Sequence, residues 1–259
     1  MTRPFYGLMS ALLVSILLSG CNTLPKSSEA TGELGEEKQQ YSKANTFIQL
    51  ATAYLERGNY SAALANARKA VEADKRNPNS YTILGLVHET LGEIDLAEQN
   101  YRKAISLDTK DPYALNAYGR LLCTREKYDE SLEYFERSVA NPLYTTPWVP
   151  LTNAGVCARS GSNPAQAEGL FRRALEGNGR YPIALFQMAR INFEQGRMLS
   201  ARAYIERYRE VARPTAELLW LGVQIERELN DQDQAMSYEL QLRNRFPDSE
   251  EVRKLGDTY

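Results

Sequence analysis

Side chains able to do chemistry are few in this chain: among its 259 residues are three cysteines and a single histidine. Thiols can be acylated or oxidised, and an imidazole can move a proton near neutral pH. His88 stands alone inside an apolar run, where it reads as a packed core residue and not as a base or ligand. No Gly-rich phosphate loop, no Gly-x-Ser-x-Gly elbow and no His-Glu-x-x-His helix occurs. Gly177-Asn178-Gly179 reads as a turn, and the carboxylates scatter without a convergent pair. No catalytic residue, metal ligand or small-molecule substrate is therefore expected. The chemistry left to explain is that of the thiols.

Cys21 follows Arg3, an apolar stretch from Leu8 to Leu18, and the run Leu18-Ser19-Gly20-Cys21. About eleven apolar residues are too few to span a bilayer but fit the hydrophobic region of an export signal. The run resembles the bacterial lipobox. That resemblance implies cleavage before Cys21 and a diacylglycerol and an acyl chain on its thiol, with no other cofactor. Two or three acyl chains on one residue anchor a protein stably where one would not. Asn22, where an Asp would retain a lipoprotein in the inner membrane of enteric-type bacteria, implies the outer membrane. Export also places Cys123 and Cys157 in an oxidising compartment, where they form either a disulfide or two small buried side chains. Their Cα separation decides between the two.

The remaining composition is ordinary for a folded protein, with 43% hydrophobic and 25% charged residues. The 33 acidic and 31 basic residues give a formal charge of −2, and loss of Arg3 with the signal makes it −3. A nucleic-acid partner is not expected, because the chain lacks a basic excess. Residues 21–43, with Pro25, Ser27, Ser28, Gly32 and Gly35, read as a flexible tether between the signal, 1–20, and the domain.

The elements that position the thiols emerge from an internal repeat. Small residues recur within apolar runs at Ala51, Gly85, Gly119, Gly155, Ala189 and Gly222, spaced by 34, 34, 36, 34 and 33. Twelve residues later stand Ala63, Ala97, Ser131, Ala167 and Ala201, with Ala235 one residue late. Tyr101, Phe135, Phe171 and Ile205 follow at sixteen, with Ala67 undersized. The pattern resembles the tetratricopeptide repeat, best in Tyr81, Leu84, Gly85, His88, Gly92, Ala97, Tyr101 and Ala104. The implied fold is all-α, a right-handed superhelical solenoid of six helix-turn-helix repeats over 44–247, with 248–259 as a C-terminal cap. The small residue lets helix A approach helix B, Gly58, Gly92 and Gly196 make the turns, and Pro78, Pro112, Pro182 and Pro214 open new units. Asn141 to Pro147 departs from the pattern by two extra residues and two prolines, and Asn230 to Asp233 replaces a glycine turn. Cys123 and Cys157 then lie on the first helices of adjacent repeats.

In the tetratricopeptide family the first helices line the concave side. The matching positions are polar in the first half: Asn45, Thr52, Glu56, Asn79, Thr82, Glu89, Asn116 and Arg120. In the second half they are Val149, Val156, Ile183, Phe186, Phe193, Leu219 and Val223, with Arg159, Arg190 and Arg227 between. That apolar strip edged with arginine suits a partner segment with large apolar side chains and some carboxylates, unless the C-terminal segment folds over it. Phe186 and Phe193 project from one helix face and are expected to be its exposed anchors.

The order of lipobox, tether and six repeats is similar to the type IV pilus pilotins, the PilF/PilW family of outer-membrane lipoproteins. The runs Ala51 to Tyr60, Asn116 to Cys123 and Phe171 to Leu175 carry the similarity. It implies a lipoprotein on the periplasmic face of the outer membrane that binds secretin subunits and promotes their localisation and multimerisation. A different expectation is a structural envelope scaffold that stabilises pili or cell-wall complexes without moving secretin.

Overall fold

In a computed structural model, the described residues run from Ala30 to Gly256, with side chains from Lys43 onward. Every described element is an α-helix: α1 (Ala30–Glu56), α2 (Tyr60–Ala73), α3 (Pro78–Thr90), α4 (Ile94–Leu107), α5 (Pro112–Thr124), α6 (Tyr128–Val139) and α7 (Trp148–Ser160). The order continues with α8 (Pro164–Gly177), α9 (Pro182–Glu194), α10 (Met198–Val211), α11 (Ala216–Glu228), α12 (Gln232–Arg245) and α13 (Glu250–Gly256). The six repeats pair α1 with α2 through α11 with α12; the unit Gln40–Tyr259 holds the later part of α1 and all the helices after it. From α3 onward the backbone of each repeat's first helix packs close to the first helix of the next, whereas second helices reach one another only through long side chains, as where Arg173 of α8 pairs with Glu136 of α6. The row therefore curves with the first helices on its inner side.

The helices start where the sequence supplies caps. Asn77, Asp111 and Thr215 accept backbone N–H bonds at the heads of α3, α5 and α11, and Asn59, Asn163 and Asp231 do so for α2, α8 and α12. Pro78, Pro112 and Pro182 sit in first turns, where a missing N–H breaks no helical bond. Within each repeat the turn between helices holds one residue at positive φ. Gly58, Gly92 and Gly196 take it at 70°, 77° and 73°, and Glu126, Ser162 and Asn230 take it at 60°, 62° and 59°. The turn geometry is thus common to all six repeats, including those without glycine.

At the crossings, side-chain volume is traded between partners. A Cβ added to Gly85, Gly119, Gly155 or Gly222 would come within 2.6, 3.0, 2.6 and 3.0 Å of the rings of Tyr101, Phe135, Phe171 and Tyr238. Where the first helix has alanine, as at Ala51 and Ala189, the partner is the smaller Ala67 or Ile205, and all four are buried. Ser131 and Ser138 replace alanine in α6, and their hydroxyls donate to the carbonyls of Gly119 and Pro112, at 2.7 and 2.8 Å. Those bonds satisfy two buried polar groups. His88 is buried as expected, with its Nδ1 bonded to the Glu93 carboxylate at the head of α4.

Two expectations change. The expected tether is helical from Ala30, since Glu36-Glu37-Lys38-Gln39-Gln40 is a run of strong helix formers that outweighs Gly32 and Gly35. The cap is the beginning of a further first helix. Glu250 and Leu255 stand 34 residues after Ala216 and Leu221, and Leu255 is buried among α11 and α12 side chains. The signal residues and Cys21 lie outside the described residues.

Candidate protein-binding groove

The inner side offers a peptide-sized trough. In its second half, Phe186 and Arg190 of α9 and Glu217, Trp220 and Gln224 of α11 surround a depression of about 350 Å³, closed at one end by Glu250, Glu251 and Lys254 of α13. The C-terminal helix therefore forms one wall and leaves the strip open. Ile183 and Val156 are the freest apolar side chains here, 50% and 39% exposed. Val149 is half-buried. Phe186 and Phe193 are half-buried too, packed against the core around Leu219 and Leu185, so they stabilise the α9–α11 junction as well as facing the trough.

Leu219 and Val223 were expected in the groove, and the structure places both in the core at 0% exposure. The cause is a register error of one residue. Gly222 resembles the periodic small residue, but Ala189 to Val223, Gly196 to Asn230 and Ala201 to Ala235 are all separated by 34. On that register the groove positions of α11 are Glu217, Trp220 and Gln224, the residues found there. The unbroken spacing of the turn residue was the signal that could have found Trp220. The first half is also less polar than expected. Ile48, Ile83, Leu86 and the 53%-exposed Tyr113 line a depression of about 390 Å³ beside Asn45, Asn79 and Thr82.

Electrostatics differ along the trough. In the first half, Glu89 accepts from Tyr101 at 2.6 Å and from Arg120 at 2.9 Å, so Arg120 is already neutralised. Burial and the Glu89 carboxylate push the Tyr101 phenol far above its ordinary range, leaving it a fixed donor. In the second half, Arg159 donates to Gln187 at 3.1 Å and pairs with Glu194. Burial and the neighbouring Arg190 guanidinium lower the pKa of Arg159, the sign of two cations held close together. Arg190 lies 5.8 Å over the Phe186 ring and has no carboxylate at ion-pair distance among the described residues. Arg227, by contrast, is paired with Glu239 at 2.8 Å. The trough thus pairs exposed aliphatic carbon with one unneutralised guanidinium on an aromatic face.

Beside the trough, the structure joins Cys123 of α5 to Cys157 of α7, with a Cα separation of 5.7 Å. That is a normal span for a disulfide, and it staples the third and fourth repeats where their connection is longest. Among the described residues no group of three or more His, Cys, Asp or Glu could hold a metal ion. No described helix is long and apolar enough to cross a membrane.

The family model for the tetratricopeptide repeat matches residues 48–113, 92–144 and 156–217. The chain is 29% identical over 242 residues to the type IV pilus assembly protein PilF of Pseudomonas aeruginosa, covering 93% of this chain and 94% of that one. Among solved structures, that of Pseudomonas aeruginosa PilF is similar at a TM-score of 0.76, with 29% identity, over 85% of this chain and all of the other. PilW, described as a widely conserved type IV pilus biogenesis factor, is similar at 0.73 with 30% identity, over 82% and 97%. Each of these likenesses covers more than four fifths of the chain. The chain belongs to the PilF/PilW family of tetratricopeptide repeat proteins.

Proposed function

We propose that this chain serves type IV pilus biogenesis as an outer-membrane lipoprotein pilotin. It binds secretin subunits through the inner trough and promotes their delivery to the outer membrane and their assembly into multimers. The observation that carries the reading is near-full-length similarity to two pilus biogenesis proteins, joined to an open trough with exposed aliphatic side chains and an unneutralised Arg190. Acyl chains on Cys21 supply the address, on the evidence of Leu18-Ser19-Gly20-Cys21. The repeats supply the grip. No bond is made or broken by the protein itself in this reading, so no catalytic residue is assigned.

The test uses Val156→Ser with Ile183→Ser. Both side chains are exposed enough that the fold should survive their replacement. Secretin should co-purify with the parent and not with the double variant. Undiminished co-purification with a variant that is folded and reaches the membrane would remove the trough from the mechanism.

A further inference from the structure

The connection from α6 to α7, Ala140 to Pro147, breaks the periodicity of the repeats. The other four inter-repeat connections hold four residues each, whereas this one holds eight, and α6 is 12 residues long where the other second helices have 14. The extra chain is firmly held. Asn141 accepts from the Leu143 N–H at 3.0 Å and donates its amide to the Lys110 carbonyl at 3.1 Å, and Arg137 donates to the Thr109 carbonyl at 3.2 Å. Tyr144 turns inward, 8% exposed, with its ring edge-on to Tyr113 at 5.2 Å. Its burial forces the preceding side chain outward, and Leu143 is 86% exposed.

Between this turn and the head of α5 lies a pocket of about 610 Å³, floored by Leu115 and walled by Ala140, Pro142 and Leu143. It shares no lining residue with either depression of the inner trough. Lys110 and Arg137 stand at its rim, no carboxylate lines it, and neither cation forms an ion pair among the described residues. A concave apolar floor between two cations fits a large apolar side chain flanked by carboxylates. A single exposed leucine is ordinary on a protein surface; Leu143 matters here because it walls an apolar concavity.

We propose that this edge pocket is a second docking site, which takes an acidic-apolar segment of a partner protein: a leucine or phenylalanine side chain on Leu115, with neighbouring carboxylates paired to Lys110 and Arg137. The site does not depend on the partner being a secretin.

The test uses the lipidated full chain in phosphatidylcholine nanodiscs. Three capped tetrapeptide probes are titrated by surface plasmon resonance: Glu-Leu-Phe-Glu, Lys-Leu-Phe-Lys and Glu-Ser-Ser-Glu. The first should bind at least tenfold more tightly than either of the others. Leu143→Asp should weaken it at least tenfold, and Lys110→Glu severalfold, without a change in melting temperature. Equal affinity for the acidic and basic probes would overturn the proposal, as would binding unaffected by both variants. Protection of the turn from hydrogen exchange by anionic lipid, with no peptide bound, would assign the edge to the membrane and overturn it as well.

Discussion

Replacing Gly155 with alanine should destabilise the domain, and a second change in a different helix should repair it. The added Cβ would stand 2.6 Å from Cε1 and 2.8 Å from Cζ of Phe171, where ordinary contact begins near 3.4 Å. The ring is fully buried and has nowhere to retreat, so the helices must part. Overpacking of this kind costs about 1–3 kcal/mol, and about 2 kcal/mol lowers the melting temperature of a domain this size by about 4–8 °C. Phe171→Ile alone leaves a void and costs about 1–3 kcal/mol, between the loss of one methylene and the loss of a whole ring. Together the two changes recreate the pairing that the fifth repeat already uses, Ala189 against Ile205. The double variant should therefore be more stable than the sum of the single effects predicts, by about 1–2 kcal/mol of coupling. Thermal and urea melts of the four proteins measure it. Strict additivity, or a Gly155→Ala protein that melts like the parent, would refute the volume trade at the crossings.

Three other consequences follow from the same structure. Glu126→Gly and Ser162→Gly should each raise stability by several tenths to about 1 kcal/mol, because a left-handed residue other than glycine costs about 1–2 kcal/mol and glycine's added chain entropy returns only part of it; a lower melting temperature would contradict the turn geometry. Reduction of the bond between Cys123 and Cys157, which closes a loop of sequence separation 34, should cost about 2–4 kcal/mol, so equal urea midpoints with and without dithiothreitol would speak against the staple. Glu168 accepts from Arg172, Gln195 and Arg197, and although burial opposes ionisation, those donors hold its pKa below 4.5. Its contribution to stability is present above 4.5 and lost as pH falls through the lower folded value, so Glu168→Gln should flatten the acid limb of the stability curve, and an unchanged limb would contradict the assignment.

Much of this architecture is legible in the sequence because packing here is local and repeated. Gly85 with Tyr101, Gly119 with Phe135 and Gly155 with Phe171 declare each crossing within sixteen residues, and positive-φ glycines punctuate three turns. Where punctuation is missing, reading fails. The sixth repeat turns on Asn230 instead of glycine and carries Gly222 next to Val223, so the nearest small residue misplaces the groove by one position. Leu219 and Trp220 exchange roles as a result. The half-burial of Phe186 and Phe193 was hidden for another reason: it depends on the next repeat's first helix, a contact that no single repeat contains. The edge pocket needs Tyr144 folded against Tyr113, thirty-one residues away, which the prolines at 142 and 147 announce only as a break.

Delivery and assembly of secretin form the center of the functional account, and one measurement addresses both. In a strain lacking this gene, the secretin in separated outer- and inner-membrane fractions is resolved into multimer and monomer after mild cross-linking, with a complemented strain alongside. The account predicts that multimers disappear from the outer membrane, that monomeric secretin is found in the inner-membrane fraction, and that the parental gene restores the original ratio. Multimers at parental abundance in the deletion strain would contradict it, leaving the repeats as a structural scaffold of the envelope.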